Sequence, residues 1–423
     1  MAIWIIKEVV GLSLAIEGGE PVRRDPFPPR IQMGPEELQA VVDLMRGYMA
    51  SGGAFDRYGG TQVDAYEREF AEYFGVKYAT ATSSGTAAIH AALGALRLDI
   101  GSEIISSPIT DPGAVAPILF QNCIPVFADA DPETFNMDPE SVKERISDRT
   151  RAIIVGHIAG QPCDMDPIME IAEDHDLTVI EDCSQAHDAL YKGRKAGTIG
   201  HMGAFSLMSG KHTTSGGQGG MVITNDEELY WNAKRFADRG KPFGSTAPGN
   251  MFLGNNYRMT ELEAAIGRVQ LKKMPKIVEA RRKIVARIGE EIRDLKAVRL
   301  GKIIEGAVSS YWFVFLRVEE SKLRVSMVDF GKAVAAEGVP VGGKYDHLIY
   351  EQPWIRDRQT YGQSKCPWCC PFWGKEITYE GSCPNARRAI DTHLVMGVHE
   401  GYTEREIKDI ATALRKVEIH YLK

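Results

Sequence analysis

Three short stretches of this 423-residue chain carry residues whose types and spacing can do chemistry. The first is Ser84-Gly85-Thr86, which follows a strand-like run and opens a helix-like one. Unpaired N–H groups at a helix start attract an anion, and a glycine lets it come close. The second is Glu181-Asp182 at the end of TVIED, where four residues that read as a buried strand lead into a carboxylate at its C-terminal tip. Ligands of open parallel sheets bind at that edge, and a carboxylate there can hold a protonated ring nitrogen. Gln185 and His187 follow on the turn. The third is Lys211, set between a short apolar run and a turn containing Gly216, Gly217, Gly219 and Gly220. An amine held out of water has a lowered pKa and becomes nucleophilic near neutrality.

Each stretch alone has a bland reading: a helix cap, a turn cap, a solvated loop lysine. Together, in this order, they supply what pyridoxal 5′-phosphate (PLP) needs: a phosphate cradle, an acid facing the pyridinium nitrogen, and a lysine for the Schiff base.

The elements that must position these residues are legible in outline. β-rich runs at Lys77–Thr82, Glu103–Ser107, Pro125–Ala128, Arg151–His157 and Thr178–Asp182 alternate with helical stretches. The latter are Val63–Phe74, Gly85–Leu96, Gly113–Asn122, Pro139–Ile146 and Asp166–His175. Such alternation indicates an α/β layer fold with a mainly parallel sheet. From Glu261 to about Leu295 an amphipathic helical stretch reads as a connector interrupted near Pro275. A smaller α+β part follows, with a strand near Tyr311–Val318, a helix near Met327–Glu337 and a last helix from Thr403. The segment 350–385 reads as a long loop. The expected organisation is an N-terminal segment packing on the body (1–55), a large domain (56–272), and a connector helix with a small C-terminal domain (273–423).

Composition narrows the partners. The net charge of −7 and the absence of a Lys/Arg cluster argue against nucleic acid. Met1 to Ile16 is apolar but broken by Lys7 and Glu8, which suits a docking strand or short helix better than a signal peptide. The apolar stretch Ser106–Ala128 carries Asp111, Pro108, Pro112, Pro117 and Pro125, which argues against a membrane span. No targeting signal is visible, so cytoplasm is the expected location. Seven cysteines give no even disulfide framework. Cys366 and Cys369 form a C-x-x-C near Cys370 and Cys383, but no second closely spaced pair completes a zinc pattern, so no metal is expected. Ser209-Gly210-Lys211 fails the phosphate-loop pattern, which requires glycine at Phe205 and Ser or Thr at His212.

The chain resembles the DegT/DnrJ/EryC1/StrS aminotransferases, in the segments SSGTAAI, GHIAGQPCDMD, VIEDCSQAHDA, GAFSLMSGK, GGQGGMVITND and NNYRMTELEAAIGRVQL. The opening LAIEGGEPVR is similar to the start of members acting on inososes and aminoshikimate-type substrates. The resemblance implies PLP fold type I, a homodimer with shared sites, and transamination of a keto sugar (free, phosphorylated or nucleotide-linked) or keto-cyclitol. It implies glutamate or glutamine as donor, and two half-reactions in one site predict ping-pong kinetics. It assigns Lys211 to the aldimine, Asp182 to the ring nitrogen and Gln185 to the phenolic oxygen. Gly85 and Thr86, after Ser84, would cradle the phosphate with the Ser206 hydroxyl, and Asn256 would reach it across the dimer interface. His157 and His187 receive no role. A sugar dehydratase of the same family, with histidine in place of the lysine, and a non-catalytic regulator are the alternatives; Lys211 favours transamination. Two departures stand out. Asp111 occupies the place where members often stack an aromatic ring on the cofactor, and the CPWCC loop is outside the common pattern. His347, Tyr350, Trp354, Trp368 and Trp373 are candidates for substrate contact.

Overall fold

The computed structural model describes residues 13–423. The element suggested over Met1 to Ile16 lies, as far as residue 12, outside the described residues; Ala15–Glu17 form one 3₁₀ turn beside the fully buried Leu14.

The first half builds β1 (Tyr78–Thr82), β2 (Glu103–Ser106), β3 (Ile124–Phe127), β4 (Thr150–Gly156) and β5 (Thr178–Asp182). The two-residue β6 (Leu190–Tyr191) and β7 (Arg194–Lys195) follow, then β8 (Met202–Ser206) and β9 (Gly220–Thr224). Seven of these join in the order β1-β9-β8-β5-β4-β2-β3, and β9 alone runs against the rest. The strands are rich in Ile and Val and buried on both faces, as parallel strands covered by helices must be. The helices are α1 (Pro35–Ser51), α2 (Thr61–Phe74), α3 (Gly85–Ala95), α4 (Pro112–Phe120), α5 (Pro139–Glu144), α6 (Met165–Asp174) and α7 (Glu227–Phe236). Ser84, Asp111, Asp138 and Asp226 cap α3, α4, α5 and α7 by accepting a backbone N–H of the first turn. The α/β fold read from the sequence is the one observed, and its five strands and five helices lie within two residues of the expected ends. α1 has no counterpart in the sequence reading.

Thr260 and Glu263 form a capping box that starts α8 (Glu261–Ile292). At 32 residues it runs about 48 Å at 1.5 Å per residue. The expected break at Pro275 is absent. A proline removes one hydrogen bond to the carbonyl four residues earlier, but Leu271, Met274 and Val278 on either side are buried and hold both halves in line. The C-terminal part has an antiparallel sheet of β10 (Val298–Leu300), β12 (Val314–Val318) and β13 (His393–Met396). β11 (Ala307–Val308) pairs instead with β6. The helices here are α9 (Met327–Ala336), the short α10 (Pro353–Arg356) and α11 (Pro384–Ile390), and α12 (Glu404–Tyr421). α9, α12 and the end of α8 cover this sheet, and Leu14 from the N-terminal segment completes its core.

The 350–385 segment is irregular, as expected, but it is not a free loop. It forms a strap across the outer sheet edge. Tyr361 donates to the Leu119 carbonyl at 3.0 Å, Trp373 Nε1–H to Glu103 Oε1 at 2.9 Å, and Tyr379 to the Pro125 carbonyl at 2.7 Å. Tyr350, Trp368, Trp373 and Tyr379 are buried in the main core. Four of the aromatic substrate candidates are thereby accounted for by packing: Tyr350, Trp368 and Trp373 are core residues, and Trp354 packs partly against the same cluster. The strap covers β3, whose outer edge would otherwise expose unpaired backbone groups. Replacing Trp373 by alanine should cost about 3–5 kcal/mol in urea unfolding, the range for a large aromatic lost from a core. A loss under about 1 kcal/mol would show that the strap is not part of the cooperative core.

Candidate active site

The C-terminal ends of β5 and β8, the start of α3 and the loop after β8 converge at one edge of the main sheet. Gly85 lies flush on the tip of β8: a Cβ there would stand 2.6 Å from Ser206 Cβ and 3.0 Å from its Oγ. Gly220 opposite is equally constrained, since its Cβ would meet the Ser84 carbonyl oxygen at 2.2 Å. The Ser84 hydroxyl is spent on the Ala87 N–H at 3.1 Å. Among the described residues no acceptor meets the N–H groups of Gly85 and Thr86, and Thr86 faces outward. The helix tip thus offers two free donors and the Ser206 hydroxyl to an anion.

Asp182, buried at the end of β5, accepts the Ser184 N–H at 3.0 Å through Oδ1. No protein group among the described residues bonds to its Oδ2. Burial pushes its carboxyl above the ordinary range, against the pull of Ser184 and Lys211, and the charge of Asp111 adds to the rise. Its neighbour Glu181 points to the opposite face, as the two-residue strand period requires. Glu181 accepts the N–H groups of Gly197, Ile199 and Gly200 at 2.6–2.8 Å and the Nε2–H of His157 at 2.9 Å. The Cys163 N–H donates to His157 Nδ1 at 3.1 Å, which fixes the neutral Nε2–H tautomer. His157, Glu181 and Cys183 bring ligand-type atoms within 4.8 Å of one another, yet the glutamate oxygens are already committed to donors. This half of the acidic pair therefore shapes the 197–200 turn.

Lys211 is only 7% exposed and has no hydrogen bond or ion pair from its amine among the described residues. The Nζ sits 3.6 Å from the centroid of the Trp312 ring, a cation–π contact. Burial lowers its pKa to about 8, partly opposed by Asp182 and Asp111. Its backbone is clamped: Arg30 donates to the carbonyls of Lys211 and His212 at 2.5 and 2.7 Å, and Gln32 donates to the first at 2.8 Å. Glu400 orients Arg30 at 2.8 Å and Arg281 at 3.0 Å. Arg281 in turn holds the Tyr311 and Trp312 carbonyls, while the indole N–H of Trp312 reaches the Gly210 carbonyl at 2.9 Å. His187 donates from Nε2 to the Ser206 carbonyl at 2.9 Å; burial drops its pKa to about 3, so it is a neutral prop for that strand end. His212 donates from Nε2 to the Ser310 carbonyl at 3.0 Å and is committed there.

Gln185 accepts the Ala159 N–H at 2.8 Å and donates to the Tyr345 hydroxyl at 3.0 Å, leaving one amide hydrogen. Tyr345 packs on Phe313 and His347, with centroids at 5.0 and 4.5 Å. Asp111 caps α4 through the Gly113 N–H at 2.8 Å instead of presenting a ring; Trp312 is the aromatic face that meets the lysine. The structure thus gathers Ser84, Gly85, Thr86, Asp182, Gln185, Ser206 and Lys211. Asn256 stands apart: it is exposed, on a segment bridged to Asp238, with no side-chain hydrogen bond among the described residues. Arg30, Gln32, Trp312, Tyr345 and Glu400 went unnoticed in the sequence. They come from distant segments, and an isolated Arg, Gln or aromatic carries no local signal.

The sequence matches the DegT/DnrJ/EryC1/StrS aminotransferase family over residues 32–415. It is 33% identical to the L-glutamine:2-deoxy-scyllo-inosose aminotransferase of Streptomyces fradiae, covering 96% of this chain and 98% of that protein. It is 36% identical to the GDP-perosamine synthase of Escherichia coli O157:H7, over 64% of this chain and 74% of that one. The solved structure of an aminotransferase from Psychrobacter cryohalolentis superposes with a TM-score of 0.81 at 32% identity, over 93% of this chain and 99% of that one.

Two outcomes follow from this geometry. Gly85→Ala should lower cofactor and phosphate affinity at least tenfold while the fold persists, because the added Cβ forces apart the helix tip and Ser206; unchanged affinity by fluorescence titration would refute the cradle. Lys211→Met should stabilise the cofactor-free protein by about 3 kcal/mol at pH 7, since about 1.4 kcal/mol attaches to each unit of the drop from 10.5 to about 8. The folded pKa lies below the unfolded one, so wild-type stability rises between pH 8 and 10.5 and the advantage of the variant fades across that window. A pH-independent difference in urea titrations would contradict the buried amine.

Proposed function

The chain belongs to the DegT/DnrJ/EryC1/StrS aminotransferase family, whose members depend on PLP, and from that premise we propose that it transaminates a keto sugar or keto-cyclitol, with glutamine or glutamate as donor and Lys211 as the anchor of the cofactor. The observation that carries this reading is the buried, unpaired amine of Lys211 within electrostatic reach of the buried Asp182 carboxylate, one oxygen of which has no protein partner among the described residues. A protein keeps such groups out of water where a bound group completes them.

The residues present fit PLP. The Gly85 and Thr86 N–H groups and the Ser206 hydroxyl would take its phosphate, Asp182 its ring nitrogen, and the remaining amide hydrogen of Gln185 its phenolic oxygen. When bound, the cofactor supplies an electron sink for charge that develops at the carbon bearing the amine. As a carboxylate, Asp182 would hold the proton on the ring nitrogen, and the positive charge of the ring would offset the burial that raises its carboxyl. Lys211 Nζ takes the α-proton of the donor as general base and later protonates the acceptor's carbonyl carbon as general acid. Trp312 and the Arg30–Glu400 clamp keep that amine in place through both half-reactions. The full-length similarity to an inosose aminotransferase supports a keto-cyclitol, and the similarity to a perosamine synthase supports a keto sugar. Lysine at 211, with His212 committed to Ser310, argues against the dehydratase alternative.

The exposed Asn256 supports a homodimer in which it completes the neighbouring site. Purified protein with PLP should show a visible absorption band that is absent in Lys211→Ala. Glutamine or glutamate should bleach the band, and a keto-cyclitol or keto sugar should restore it. Transamination by Lys211→Ala should fall about 10²–10⁴-fold, the usual weight of a general acid–base group. Mixing inactive Lys211→Ala with Asn256→Ala should restore activity through hybrid dimers; a monomer by ultracentrifugation, or no restoration, would overturn the shared site.

A further inference from the structure

The strap carries a second pair of reactive groups that transamination does not use. Cys366 and Cys369 face each other across a turn closed by the Cys370 N–H to the Pro367 carbonyl at 2.9 Å. Their sulfurs are 3.1 Å apart, inside ordinary van der Waals contact. Cys369 is exposed and Cys366 half-exposed, so both are open to solutes. The Cys369 thiol donates to the Ser364 carbonyl at 2.7 Å, which holds it in the turn. Between them Trp368 points inward, buried, with its indole N–H on the Tyr379 hydroxyl at 2.8 Å. Tyr379 is itself tied to β3 through the Pro125 carbonyl. The inward tryptophan pins the middle of the turn, so the two cysteines are presented outward together.

The other cysteines differ. Cys123, Cys163, Cys183 and Cys383 are buried, and burial pushes the thiols of Cys123, Cys183 and Cys383 up to about 12. Access is what sets them apart: contact with Cys366 raises the Cys369 thiol as well, but no oxidant reaches the buried ones. Among the described residues no third His, Cys, Asp or Glu ligand atom gathers with the Cys366–Cys369 pair, and two thiols do not make a structural zinc site.

We propose that Cys366 and Cys369 are a reversible redox modification site, oxidised to an intramolecular disulfide by a small-molecule disulfide of the glutathione type. One thiol loses its proton to solvent and its sulfur attacks the oxidant, breaking that S–S bond and releasing one thiolate. The second cysteine, also deprotonated, attacks the mixed disulfide and releases the other thiolate. The released thiolates take up the two protons. In sum, two protein thiols and one disulfide become one protein disulfide and two small thiols. The bond closes a turn that already exists, so it forms without refolding and staples the strap against local opening.

The test uses the full-length enzyme. It is treated with oxidised glutathione, capped with N-ethylmaleimide and mapped by peptide mass spectrometry. The expected product is a 366–369 disulfide, two hydrogens lighter, that forms before any buried cysteine reacts and reverts with dithiothreitol. C366S and C369S should each stop at a glutathione adduct on the remaining thiol. A persistent adduct on the wild type, a bridge to Cys370, or stoichiometric zinc that shields the pair from alkylation would overturn the assignment. Limited proteolysis within 357–366 should slow several-fold on oxidation; equal rates would remove the stapling role.

Discussion

The ammonium of Lys211 rests on the indole of Trp312, out of water and with no carboxylate bonded to it. Burying a cation this way is costly, and the surrounding structure is arranged to keep it there. Arg30 and Gln32 seize the lysine's carbonyl, Glu400 orients Arg30, and Arg281 fixes the backbone of Trp312. These groups come from the N-terminal segment, the connector helix and the C-terminal part. The lysine loop is therefore gripped by all three, and the extra layers around the α/β sheet have a role in holding one amine.

The same edge shows how the sheet divides its labour. Strand alternation sends Asp182 into the cleft and Glu181 to the far side, where it organises a turn with a neutral His157. Neutral His187 supports the end of β8 in the same spirit. Two of the most chemistry-like residues in the sequence are thus structural: the Cys163 N–H holds His157 in its Nε2–H form, and burial, which also lowers Lys211, keeps His187 neutral.

The strap over β3 solves a separate problem. A parallel sheet ends in a strand with unpaired backbone, and here aromatic residues with one polar atom each cover the edge while satisfying Glu103 and the Pro125 carbonyl. Its outward turn leaves two thiols in contact at the surface.

Much of this is legible in the sequence alone. The α/β alternation follows from hydrophobic periodicity and capping residues, both local properties written within a dozen residues. The cradle, Asp182 and Lys211 were legible for the same reason: each sits where a strand ends or a helix begins, and glycine, serine and a terminal carboxylate mark such places. Pro275 misled because a local helix breaker is overruled when packing holds both sides. The aromatic residues of 350–385 left open whether they bind or pack, since burial is a property of neighbours. Trp312, Tyr345, Arg30 and Glu400 lie tens to hundreds of positions from the residues they serve. Sequence therefore determined the fold, the family and the candidate reactive groups, which depend on local pattern. Only tertiary structure decided which side chains surround the amine and in what protonation state, because desolvation and long-range hydrogen bonds exist only once distant segments meet.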